Sequence, residues 1–137
     1  MSTLVFLEHH GSSIHRGSLG VLSKAVSLDP DTAAVLVGSG VADLASEAAA
    51  HGAKTVYVAD DASLQSPLPQ PRVDVIAALV KDKGVDNVLF GASVLAADIA
   101  GGLSARLDAG LNWDLGDLEV QDGALVGKRS ALGDTVQ

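Results

Sequence analysis

The chain has 137 residues, 47% of them hydrophobic and 19% charged, so it can fill one apolar core but not two, and intrinsic disorder is excluded. Nine Lys+Arg against seventeen Asp+Glu leave a net charge of −8, which repels nucleic-acid backbones and anionic membrane surfaces. With no cysteine, disulfides, thiolate metal sites, iron–sulfur clusters and thiol nucleophiles are excluded as well.

Before Glu8 the start offers only Leu4 to Leu7 as an apolar run, without the basic residues and long apolar stretch of a secretory leader. The longest unbroken apolar run, Val75 to Val80, is far below the roughly 20 residues a membrane-spanning helix needs. A bacterial cytoplasmic location is the expectation, with no membrane insertion and no nucleic-acid partner.

In chain order, Val- and Leu-rich runs alternate with Ala-rich stretches at helical spacing, the rhythm of β-α-β units around a parallel sheet. Strands are predicted over Thr3–Glu8, Thr32–Gly38, Lys54–Ala59 and Asn87–Gly91, with few internal charges because helices cover both faces. Helices are predicted over Ser18–Ser27, Val41–His51, Arg72–Lys83 and Ala96–Leu107, the third with Val73, Ile76, Ala77 and Val80 on one face. Gly52 and Gly84 stand where helix ends favour a positive φ. Ser63–Pro71 carries Pro67, Pro69 and Pro71 and reads as an extended connection without regular structure. Beyond Leu107, Leu111–Trp113, Asp117–Gln121 and Leu125–Arg129 read as short strands, the last two a hairpin around Asp122-Gly123 that is added to the sheet. The stop at Val136-Gln137, with neither a capping helix nor a polar tail, reads as a cut.

Two strand exits lie where open α/β sheets bind ligands. Gly38-Ser39-Gly40 places a glycine turn before a helix N-terminus, where free N–H groups hold phosphates. The dinucleotide fingerprint is incomplete, because its third glycine falls at Asp43, although Asp60 follows about 20 residues on. A tight structural turn is the favoured reading, and no Walker lysine follows. Gly91-Ala92-Ser93 offers a second such turn, but Ser93 and Asp98 are also explained as residues that start a helix. His9, His10 and His15 form the histidine cluster. Adjacent His9 and His10 point to opposite faces of a strand, and no carboxylate stands at a compact spacing to complete a metal shell. A Gly-x-Ser-x-Gly elbow is absent, so a serine nucleophile has no setting. Trp113 and Tyr57 read as core or interface aromatics.

Leu7-Glu8-His9, Val35 to Gly40, Gly52 to Asp60 and Asp86 to Ser93 follow one another in an order that resembles the N-terminal domain of the electron transfer flavoprotein α subunit. The likeness continues through Asp98-Ile99-Ala100 and Leu103 to Leu107, then Asp114, Asp117-Leu118-Glu119 and Arg129. The chain departs from the family at Ala96-Ala97, where Gly-Arg often precedes the aspartate, and at Leu132-Gly133-Asp134, where Gly-Gly-Asn is usual.

The resemblance implies an α/β fold: a three-layer, Rossmann-like, mostly parallel sheet of the adenine nucleotide α-hydrolase-like type, with short antiparallel strands at the C-terminal end. It also implies that residues 1–137 are one non-catalytic scaffold domain, packing against the β subunit of a heterodimer that accepts electrons from dehydrogenases. FAD would be held mainly by an absent C-terminal domain, with no cofactor expected in this chain alone. Such a domain, stripped of its partners, is expected to self-associate. The alternative is a stand-alone AMP- or ATP-binding module of the universal-stress type, using Gly38, Ser39, Gly40, Gly91 and Ser93 as its phosphate cradle.

Overall fold

Residues 2–91 and 93–107, with the backbone of two strands at 115–121 and 124–129, are described by the computed structural model of the chain. In chain order the elements are β1 (Thr3–Phe6), β2 (His9–His10), β3 (Ser13–Ile14), α1 (Arg16–Leu28), β4 (Ala33–Gly38), α2 (Ala45–Ala50), β5 (Thr55–Asp60), α3 (Pro69–Lys83), β6 (Asn87–Phe90), α4 (Val94–Leu107), β7 (Leu115–Gln121) and β8 (Ala124–Arg129). Short 3-10 turns at Ala42–Leu44 and Ala62–Leu64 precede α2 and α3.

The four parallel strands stand in the order β5-β4-β1-β6. β1 is central and buried along its whole length, with Leu4 opposite Ala33 of β4 on one side and Val88 of β6 on the other. Because strand side chains alternate, the sheet divides its apolar residues between two cores. Val5, Leu7, Ala34 and Leu36 meet Leu22 and Ala25 of α1 and Ala48 of α2. Leu4, Phe6, Val35 and Val37 meet Val73 and Ile76 of α3 and Ile99 and Leu103 of α4. Helices on both faces make three layers, and the expected α/β, Rossmann-like architecture is the one found.

Several boundaries differ from the sequence reading for local physical reasons. The proline-rich stretch is partly helical: Pro69 and Pro71 lie in the first turn of α3, where backbone N–H groups have no intrahelical acceptor and a missing one costs nothing. Ala62–Leu64 forms its 3-10 turn because the Asp61 carboxylate accepts from the Ser63 N–H at 2.9 Å, a bond that holds the Asp61 carboxyl below its ordinary pKa. α4 begins at Val94, so Asp98 falls outside its first turn and is not the dipole partner expected there. At the far end of α3, Gly84 adopts φ 65° and its N–H closes the helix on the Val80 carbonyl, as its position predicted.

β7 and β8 pair antiparallel, but they form their own two-stranded sheet rather than extending the main one. β7 runs beside α1. The predicted strand Leu111–Trp113, the Asp122-Gly123 turn and the stop at Val136-Gln137 lie outside the described residues.

Candidate functional site

From β1 the chain steps outward to β4 and then β5, and afterwards crosses to the other side of β1 to place β6. Strand order therefore reverses between β1 and β6, and the carboxyl ends of these two strands are where such folds open a crevice. Glu8 leaves β1 at this point and Ser93 introduces α4. The Ser93 hydroxyl donates to Glu8 Oε1 at 3.0 Å and accepts from the Ala96 N–H at 2.9 Å, so one side chain caps the helix and holds the carboxylate. Glu8 is only 8% exposed, and its own N–H donates to the Ser18 hydroxyl in α1 at 3.0 Å.

At the carboxyl end of β4 the Gly38-Ser39-Gly40 turn is closed by an acid from the neighbouring strand. Asp60 Oδ1 accepts from the Gly40 N–H at 2.8 Å, and Oδ2 from the Ala42 N–H at 3.1 Å. Gly40 has φ 72°, and Gly38 is needed for clearance, since a Cβ there would sit 2.6 Å from His9 Nε2 and 2.9 Å from Val41 Cγ1. His9 folds beneath this turn with Nε2 3.2 Å from the Val37 carbonyl. A carbonyl only accepts, so the ring proton is on Nε2, and Nδ1 is left buried without a hydrogen-bond partner. Gly91 likewise answers a close approach, because a Cβ there would meet the Ser18 backbone nitrogen at 3.2 Å.

Between these exits lies a cleft of about 330 Å³ lined by Phe6, Glu8, His9, Gln65, Arg72 and Leu95 among others. Gly38, Ser39, Gly40, Gly91 and Ser93 are not among its lining residues. Arg72, 3% exposed, was not singled out by the sequence, where a charge in the first turn of a helix reads as surface. Its guanidinium donates to four carbonyls, those of Ser66 and Leu68 at 3.1 Å and of Val37 and Leu64 at 3.3 Å. It thereby ties the loop before α3 to the end of β4. Burial pulls its pKa down, yet a guanidinium stays protonated.

The expectation that no acid stands near the histidines does not hold. One ligating atom each of Glu8, His10 and His15 lies within 4.8 Å of the others. The signal was present as strand periodicity: Glu8 and His10 are two residues apart and share a face, while the His15 N–H donates to the Glu8 carbonyl at 2.7 Å across the β2–β3 hairpin. His9, as predicted from alternation, points the other way.

A phosphate-bearing cofactor such as FAD would need unsatisfied N–H groups at a helix N-terminus. Here the N–H groups of the Gly40 turn donate to Asp60, the helix that follows has six residues, and the buried Glu8 carboxylate puts negative charge at the switch point. The described residues do not fit that group.

Residues 3–137 match the electron transfer flavoprotein domain family. The chain is 34% identical over 132 residues to the electron transfer flavoprotein subunit alpha of Mycobacterium tuberculosis, covering 95% of this chain and 40% of that protein. It is 35% identical over 132 residues to the subunit alpha of Mycobacterium leprae, with the same coverage, and 32% identical over 135 residues to Protein FixB of Clostridium saccharobutylicum, covering 94% and 40%. The chain thus spans about two fifths of the length of the curated relatives it matches. A stand-alone AMP- or ATP-binding module is not favoured by these likenesses. With a family match running from the first strand through the last described one, and alpha subunits among its relatives, this chain belongs to the electron transfer flavoprotein domain family.

Proposed function

We propose that this domain is the non-catalytic scaffold of an electron transfer flavoprotein α subunit, packing against a β subunit while FAD is held by protein outside these 137 residues. The observation that supports it most directly is at the Gly38-Ser39-Gly40 turn, where the Gly40 N–H and the following Ala42 N–H are already bound to the Asp60 carboxylate. A sheet of this topology that closes its own nucleotide cradle is suited to positioning neighbouring protein. The flavin would supply the redox chemistry and the scaffold the geometry. Dehydrogenases would then meet the complete heterodimer, in the bacterial cytoplasm. Among the described residues no helix is long and apolar enough to cross a membrane.

Titrating the purified chain with FAD tests the reading. The flavin's absorption and fluorescence should stay those of free FAD, and stoichiometric binding would overturn the assignment. Calorimetry with AMP and ATP is the companion measurement: micromolar binding, about −8 kcal/mol, would restore the nucleotide module.

A further inference from the structure

We propose that Glu8, His10 and His15 form a binding site for a divalent first-row cation of the Zn²⁺ class, at the β2–β3 hairpin. The proposal stands independently of the scaffold reading, since it rests on the side chains of one hairpin. Two imidazoles and one carboxylate are a borderline donor set that suits Zn²⁺ and leaves a fourth position for water. A lone pair of neighbouring histidines would not suffice. The hairpin register supplies the third donor, with Glu8 and His10 on one face of one strand and His15 directly across from Glu8.

The three ligating atoms lie within 4.8 Å of one another, whereas donors bonded at about 2.1 Å to one tetrahedral ion stand about 3.4 Å apart. Closing that gap needs movement in only part of the site. Glu8 is fixed, buried and held through Oε1 by Ser93, the kind of outer partner that orients a ligating carboxylate. His10 is exposed, and its ring already lies edge-on to His15 with centroids 5.6 Å apart, so rotation about its χ angles brings the nitrogen inward.

His15 carries the cost. Its Nδ1 accepts from the Gly17 N–H at 3.2 Å, which places the ring proton on Nε2. A cation taken at Nε2 moves that proton to Nδ1 and gives up this long cap bond, and one taken at Nδ1 displaces it directly. The N-terminus of α1 also disfavours a cation, and the Glu8 charge offsets it. The site is therefore a moderate one, of micromolar rather than nanomolar affinity. Filling it would clip the hairpin to the start of α1 and, through Glu8 and Ser93, to α4.

Calorimetric titration of the tag-free chain with Zn²⁺ tests this, together with visible absorption on adding Co²⁺. The expected result is one equivalent of Zn²⁺ and a Co²⁺ ligand-field band, with a thermal midpoint that rises with Zn²⁺ concentration. His10→Ala, whose ring is exposed and whose fold is not at risk, should weaken binding at least about tenfold, the low end of what losing even an outer partner of a metal ligand costs. Glu8→Gln, which keeps the Ser93 contact, and His15→Asn, which keeps an N-cap side chain, should do the same. His51→Ala, at the end of α2, should leave binding unchanged. Absence of saturable uptake by the parent chain would overturn the proposal. So would uptake unaffected by His10→Ala, or a loss confined to the two histidine variants with Glu8→Gln unaffected.

Discussion

The turns that leave β4 and β6 begin with the same materials, a glycine at a strand end and a small polar residue before a helical segment. On the β4 side the exposed N–H groups of the turn are bound by an acid from the next strand, Asp60. On the β6 side the hydroxyl of Ser93 reaches back across the switch point to a buried acid, Glu8. The first turn has brought in its own anion and is closed to others. The second has used a helix cap to hold a carboxylate at the rim of an open cleft. Equivalent positions in a doubly wound sheet can thus be closed or chemically available, and the deciding residue lies outside the glycine motif in each case.

Four substitutions would break or sharpen that contrast, taken from the largest expected effect to the smallest. Arg72→Ala should cost about 4 kcal/mol in chemical denaturation, because it leaves a cavity and removes four hydrogen bonds at the end of β4 and in the loop before α3. A loss close to that of a surface arginine would show that the β4 side is not held from within. Gly38→Ala should cost about 3 kcal/mol by forcing a Cβ to within 2.6 Å of His9 Nε2. Combining it with His9→Ala should recover part of the loss, and strict additivity would mean that the clash is not with that ring. Ser93→Ala, on the β6 side, should cost about 2 kcal/mol for the lost cap and the carboxylate left without its donor. Ser93→Thr should restore most of it.

The smallest effect belongs away from both turns, where Arg106 of α4 meets Asp74 of α3 at 2.7 Å. The Arg106 hydrogen bond, with help from Gln70, holds the Asp74 carboxyl below its ordinary pKa of 3.8. The folded state thus binds the proton less readily than the unfolded one. The stabilisation is fully present above the unfolded value and is lost as the pH falls through the lower folded value. Asp74→Asn should lower stability slightly at neutral pH, since the pair is exposed and screened, and make no difference at the acid end, so that the acid limb of the profile is a little shallower. A large loss at neutral pH would contradict this.

The layered fold was legible because it depends on runs such as Leu4 to Leu7 and Val35 to Val37, whose burial on both faces needs no knowledge of partners. The start of α3 was not, because Pro69 and Pro71 break a helix interior but are tolerated in its first turn, and only the placement of the turn distinguishes the two. The separate β7–β8 sheet was misplaced because strand character says nothing about which edge, if any, a strand joins. At the site, the opposite orientation of His9 and His10 followed from alternation. The meeting of Glu8 with His15 required a hairpin too short to announce itself, with two residues per strand. The roles of Asp60 and Arg72 depend on long-range neighbours, 20 residues from Gly40 and 35 from Val37, that local pattern does not encode.

The central position of β1 has a consequence for how the molecule is made. Its two hydrogen-bonded neighbours begin at Ala33 and Asn87, and Ser2 is anchored by the backbone N–H groups of Asp86 and Asn87. During synthesis, β1 emerges before both of these neighbours and must wait, half paired, until β6 has emerged before its second edge can close. Contacts of such sequence separation slow assembly, so the strand at the heart of the four-stranded sheet is completed only when the strand made last in that sheet arrives.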